Sequence, residues 1–442
     1  MVHRISSSKM RWWVAVEIID DILKAGSRSA DEVEVYFAEG QSASAELKRD
    51  TVSRSIESRY FSLSIRTIAG GKIGSSSTSN PAEWQKCLDA ALASGRLATG
   101  QAWGGLPGPQ VLKGPDLSYD PAVRPGAAAV KGMLEAMVEG AMRHPVQVTS
   151  GGATISTGTV TIANSHGTRY SRDQSLVSAS VEAIRENSTG YEFEISCSAD
   201  FDPASIGDRA GFLAASSANG TGISSGAYDI VLSPLAAAQL ISAVIVPALS
   251  GRNVHAGRSR LAGLAGTAVA APAISVYDDP FLPGKPGSTR WDAEGTPTRK
   301  IPFITDGILG EFAYDLKTAY RYGTAGTGSA VRSGSGGMPS IGHHNLVIAG
   351  PECALMDEPA IFIQDVVGAH TANALSGDFS VELTNPFRVK DGTFEAPVRK
   401  AMLSGNVFLL LESITGLGRD RRTIGSLVLP SIRLKDQHII GG

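Results

Sequence analysis

The stretch that most constrains the fold is Asp229–Gly251, DIVLSPLAAAQLISAVIVPALSG. Asp229 to Leu232 reads as a short strand of branched apolar residues. Ser233-Pro234 supplies an N-cap hydroxyl followed by proline at the first helical position, where a missing N–H costs nothing. From Leu235 to Val246 the only polar side chains are Gln239 and Ser242. Such a helix is apolar nearly all round and is predicted to lie in an interior. Pro247 should end or kink it, because it cannot donate to the Ala243 carbonyl. A bilayer needs ~20 uninterrupted apolar residues, so this is a core helix rather than a membrane span.

A chain of 442 residues allows two or three domains and a large core. Its formal charge of −3 gives no electrostatic reason to expect a nucleic acid or anionic membrane partner. Cys87, Cys197 and Cys353 lie far apart with no C-x-x-C, which argues against a disulfide framework and suits a reducing cytoplasm. Glu17, Asp20 and Asp21 interrupt the apolar N-terminal segment, so it reads as an amphipathic helix and not a signal peptide. Short alternating runs at 33–38, 44–48, 52–57, 61–69 and 72–77 predict strands, with Gly70-Gly71 at a hairpin turn. Helices are expected over 82–97, 125–143 and from Pro203, with a long loop over 99–125. Two long strands should occupy 168–186 and 190–200. The stretch ANGTGISSG at 218–226 suggests a linker between a domain of residues 1–222 and one of residues 227–442. Later strands are expected near 273–277, 301–305, 308–313, 345–349, 360–367, 379–389 and 393–403, then a helix near 406–415. Strands come in blocks, so the predicted class is α+β with mostly antiparallel sheets.

Candidate chemistry is sparse. Gly222-x-Ser224-x-Gly226 fits a nucleophile-elbow pattern, but a helix precedes it and a strand follows, the reverse of what an elbow needs. The glycine-rich segment 323–342 reads as a surface loop, with Arg332 as its one strong anion ligand. His343-His344 would point to opposite faces of a strand, which disfavours a shared metal. Asp292-x-Glu294 could act as an acid–base pair or tie down a turn beside Trp291. Arg419–Arg422 reads as a solvated basic cluster.

Several ordered segments resemble the TldD/PmbA family, whose PmbA members are also called TldE and were once labelled modulators of DNA gyrase. They are Trp291–Thr298, Ile304–Leu309, Tyr314–Ala319, Gly328–Arg332, Ser376–Ser380, Ala396–Arg399, Ser404–Asn406 and Leu429–Arg433. The resemblance implies a proteolytic assembly. Its TldD-type subunit holds zinc through H-E-x-x-x-H on a helix after a strand and through a cysteine near the C-terminus, and its TldE-type subunit lacks that site. Laid on this sequence, the motif puts Ser242 and Pro247 where the histidines stand, Ala243 where the glutamate stands, and Leu417 near the cysteine.

The expectation is therefore a PmbA/TldE-like subunit without a cofactor or metal of its own, zinc belonging to a TldD-like catalytic partner. It would be a dimer, homo- or hetero-, acting on unfolded peptide substrate, with no nucleic acid or membrane partner. Asp292, Glu294, Arg332 and His343 are the candidate substrate contacts. The alternatives are a stand-alone, zinc-independent hydrolase using Asp292, Glu294 and His343 or His344, and a regulatory binding protein.

Overall fold

The computed structural model describes residues 7–334 and 336–442, with side chains from Glu17 onward. The first sheet is antiparallel throughout, in the order β3-β2-β1-β4-β5-β6. Its strands are β1 (Glu32–Lys48), β2 (Thr51–Ala69), β3 (Lys72–Thr78), β4 (Gln147–Asn164), β5 (Arg169–Arg185) and β6 (Ser188–Ser196). The paired runs 33–38 with 44–48, and 52–57 with 61–69, are each one long strand. Gly40 interrupts the apolar alternation but not the ladder: it pairs with Tyr60 and Gly158, and a Cβ there would stand 2.5 Å from the Tyr60 hydroxyl and the Thr157 carbonyl.

Alternation along β1 decides what each face does. Odd positions Val33, Val35 and Phe37 pack with α1 (Ser7–Gly26) and α2 (Trp84–Leu97). Ala43, Ala45 and Leu47 pack with α3 (Ala127–Ala141) and α4 (Pro203–Ser216). Even positions Glu34, Tyr36 and Ala38 face away from those helices, and Tyr36 and Ala38 join Ile162 and Trp291 in a separate buried cluster. One face thus carries the helices, and the other receives the second half of the chain. The predicted loop over 99–125 has no regular element, and it straps the halves together. Asn164 donates to the Pro107 carbonyl, Tyr320 to the Gly105 carbonyl, and Arg290 pairs with Asp116.

The second half opens with β7 (Gly226–Leu232) and α5 (Pro234–Ala248). Ser233 caps α5 as the sequence predicts, its hydroxyl accepting the Leu235 and Ala236 N–H groups. Strands 226–232, 360–367, 378–390, 401–406 and 432–441 close into a ring, because 360–367 pairs with both 226–232 and 378–390. A further sheet holds 275–278, 301–305, 308–309, 346–349, 422–424 and 427–429. Most pairings are antiparallel, as expected. A single apolar core runs from ring residues Leu232, Ile361 and Ile363 through Ala237, Ile241 and Val244 of α5 to Phe303 and Leu429 of the other sheet.

One expectation is corrected here, and one strand is added. The helix α5 is not enclosed all round: Gln239 and Ser242 are exposed, and Ala243, Val246 and Pro247 are half-buried. These five positions recur at helical spacing and form one open face. The strand 432–441, unexpected from its residues, joins the ring between 226–232 and 401–406. A bulge between Leu434 and Gln437, with Asp436 at φ 53°, breaks its alternation.

Candidate functional site

The open face of α5 borders a cleft of about 880 Å³, into which Val246 and Pro247 project with Ser250 of the following turn. The opposite wall is Pro339–Ile341, the outer strand of a hairpin whose inner strand is Ala330–Arg332. The segment read as loop therefore contains a small two-stranded sheet. Arg252, Arg258, Lys317 and Arg321 line the cleft and are exposed. Its one carboxylate is Asp315, buried and accepting the Thr318 N–H as a helix cap. Tyr322, at the edge, stacks on His255 with ring centres 4.1 Å apart.

The structure places three of the four proposed contact residues elsewhere. Glu34 and Arg66 are cross-strand partners on the non-helical face of the first sheet, joined at 2.6 Å. Glu294 reaches Arg66 from the second half at 2.5 Å, and Arg332 reaches Glu34 at 2.7 Å. Each of these four side chains is 3% exposed or less, so charges of alternating sign form a chain Glu294–Arg66–Glu34–Arg332 across the junction. Most of the remaining capacity is also used, the buried Arg66 Nε being left without a partner. Glu294 accepts the Leu316 N–H at 2.7 Å; Arg332 donates to the carbonyls of Ala293 and Gly337 and lies over the Tyr36 ring.

Burial works against the Arg66 charge, but Glu34 and Glu294 outweigh it and hold the guanidinium above its usual range. Asp292 accepts the N–H groups of Glu294, Thr296 and Ala330, while burial and the Glu294 charge push its carboxyl up. Asp292, Glu294 and Arg332 thus fasten the turn after Trp291 to the first sheet. Expected as ligand contacts, they have no polar atom left for a ligand. The sequence showed Glu294 and Arg332 but not their partners Glu34 and Arg66, which strand alternation alone could have placed on one face.

His343 does line the cleft, with its Nε2 2.8 Å from the Ser426 hydroxyl; burial holds this imidazole below its usual range. His344 turns inward, its Nε2 2.8 Å from the Gly328 carbonyl and its N–H on Asp278. The two histidines and the Asp292–Glu294 pair do not converge on one point of the cleft. Arg422, expected in solvent, pairs with buried Glu192 at 2.6 Å and ties the C-terminal half to β6.

Matches to known proteins follow this architecture. The family model of the PmbA/TldA metallopeptidase C-terminal domain matches residues 225–441, that of the central domain residues 116–218, and that of domain 1 residues 33–95. The chain belongs to the PmbA/TldD family. An uncharacterized protein of Methanocaldococcus jannaschii is 29% identical over 95% of this chain and 99% of its own length. The metalloprotease PmbA of Escherichia coli O157:H7 is 26% identical over 44% of this chain and 42% of its own. Among solved structures, TldE from Thermococcus kodakarensis superposes with a TM-score of 0.89 over 96% of this chain and all of that one; at 22% identity this shows the fold. A proposed modulator of a DNA gyrase from Thermotoga maritima gives 0.86 at 25% identity, over 96% of this chain and 99% of the other.

The PmbA/TldD resemblance places a zinc motif on α5, and the open face is where it falls. There Ser242, Ala243 and Pro247 offer a hydroxyl, a methyl group and a proline ring. Zinc takes imidazole, thiolate or carboxylate, so these side chains do not fit it. Leu417, near the position of the family's cysteine, is fully buried in the apolar core. Among the described residues, no three His, Cys, Asp or Glu side chains group as metal ligands. No described helix is long and apolar enough to cross a membrane.

Proposed function

We propose that this chain is a PmbA/TldE-type subunit of a TldD–TldE-type metalloprotease, without zinc or peptidase chemistry of its own. The observation that carries the reading is the open face of α5. Ser242, Ala243 and Pro247 lie on that face, at the positions where a TldD-type helix would present its ligands, and Val246 and Pro247 line the cleft at its end. The cleft beside this face suits a chain that meets an extended peptide. The strand 339–341 pairs with 330–332 on one side and forms the cleft wall. A bound peptide would add to that edge through main-chain hydrogen bonds, which do not depend on sequence. Catalysis would come from a cytoplasmic partner with an intact H-E-x-x-x-H motif.

The test is reconstitution. The purified chain is assayed on an unfolded peptide alone and after co-expression with a motif-bearing family member. The expected result is co-purification of the two chains and chelator-sensitive hydrolysis only by the pair. Chelator-sensitive turnover by the chain alone would overturn the assignment.

A further inference from the structure

We propose that the cleft beside α5 selects peptide segments rich in carboxylates. This deepens the reading above, on which it rests for the peptide nature of the ligand. Four cationic side chains, Arg252, Arg258, Lys317 and Arg321, line the cleft against a single carboxylate, Asp315. That carboxylate is committed to capping the helix 316–321. Among the described residues, none of the four cations has a carboxylate within ion-pair distance, whereas Arg66, Arg332, Arg422 and Arg433 are all paired. The chain as a whole is acidic, with a formal charge of −3, so this positive field is local to the cleft. A concave wall of one sign concentrates ligands of the other.

The choice of peptide over nucleic acid rests on two features of the same walls. The strand 339–341 is paired on one side only, with 330–332, so its other edge can meet another polypeptide strand through its carbonyls and, Pro339 excepted, its N–H groups. The Tyr322 ring, which could have stacked a base, is already stacked on His255. A segment carrying aspartate or glutamate would pair its backbone with the edge strand and its carboxylates with the guanidinium groups. The charge-assisted bonds would be strongest where arginine grips both oxygens.

Three labelled peptides of equal length, one rich in Glu and Asp, one in Ser and Gly, one in Lys, are titrated with the full chain by fluorescence anisotropy. The acidic peptide should bind about tenfold or more tighter than the neutral one, a preference that shrinks as salt rises. Reversing Arg252→Glu and Arg321→Glu together should cost the acidic peptide about tenfold in affinity, while Arg321→Lys keeps most of it. Both positions are exposed, so the urea midpoint of each variant should stay near wild type and serves as the folding control. Equal affinity for acidic and neutral peptides, or a preference that survives the charge reversal, would overturn the proposal. A single-stranded oligonucleotide or inorganic tripolyphosphate of matched charge is the competitor. If either displaces the acidic peptide at equimolar concentration, the site reads phosphate and the peptide assignment fails. Zinc content and co-purification with a catalytic partner do not depend on these charges. Loss of the acidic preference would therefore leave the subunit assignment standing, and loss of that assignment would show in those two measurements alone.

Discussion

The junction between the halves and the cleft beside α5 are both built around arginine, and they use it in opposite ways. At the junction, Arg66 and Arg332 are sealed from water, with each guanidinium matched to a carboxylate and its other donors mostly spent on carbonyls, a hydroxyl or aromatic faces. In the cleft, Arg252, Arg258 and Arg321 stand in solvent and, among the described residues, have no carboxylate partner. A buried charge that is already satisfied can hold a fold together but has nothing to offer a ligand. An exposed, unpaired one contributes little to stability and remains free to bind.

The comparison breaks most visibly at Arg66. Replacing it by alanine leaves Glu294 buried without a cation and Glu34 with Arg332 alone, which should cost about 3–5 kcal/mol in urea unfolding. The same truncation at Arg252 should fall within about 0.5 kcal/mol of wild type. Comparable losses at both sites would show that the two sets of arginines are not distinct. Removing the α5 cap by Ser233→Ala should cost about 1–2 kcal/mol, because its hydroxyl satisfies two helix N–H groups and also donates to the Gln364 carbonyl. Such a loss would show that the helix behind the open face is anchored at its N-terminus.

A pH titration sharpens the comparison from the cleft side. Burial lowers the His343 imidazole in the native state, so below the unfolded value of about 6.5 the unfolded chain takes up a proton that the folded one refuses. Stability should therefore fall as pH drops through about 6.5 toward the lowered native value, and be unaffected by this group above it. His343→Gln should flatten that part of the curve, measured as urea midpoints from pH 5 to pH 8. An unchanged slope would mean that the imidazole is freely solvated. The smallest expected effect is at the open face itself. Ser242→Ala should change stability by no more than about 0.5 kcal/mol, because the exposed side chain has no packing to lose.

Much of the fold was legible because local chemistry and tertiary context agree. Ser233-Pro234 starts α5, and Gly70 and Gly71 turn β2 into β3 with positive φ. What was missed has physical causes. The strand 432–441 hides behind its bulge, and the hairpin 330–341 hides in glycine-rich composition. The α5 face was hidden because small apolar residues look alike whether they pack or line a cleft. Ala243 and Val246 carry no mark of exposure, and only Gln239 and Ser242 hint at it. The junction network was half visible. Asp292-x-Glu294 and Arg332 stood out as charges beside apolar residues, but what they touch is set by register between β1 and β2 and by the docking of the two halves. A single charged residue in sequence cannot say whether it will be spent on a partner or left for a ligand.

The central claim is that the open face of α5 lacks the ligands for a metal. It is tested most directly by the zinc content of the purified full-length chain, incubated with excess zinc, dialysed and measured by mass spectrometry. The account predicts far less than one equivalent, unchanged by Ser242→Ala. One tightly held zinc per chain, lost when Ser242 or its neighbours are replaced, would contradict it.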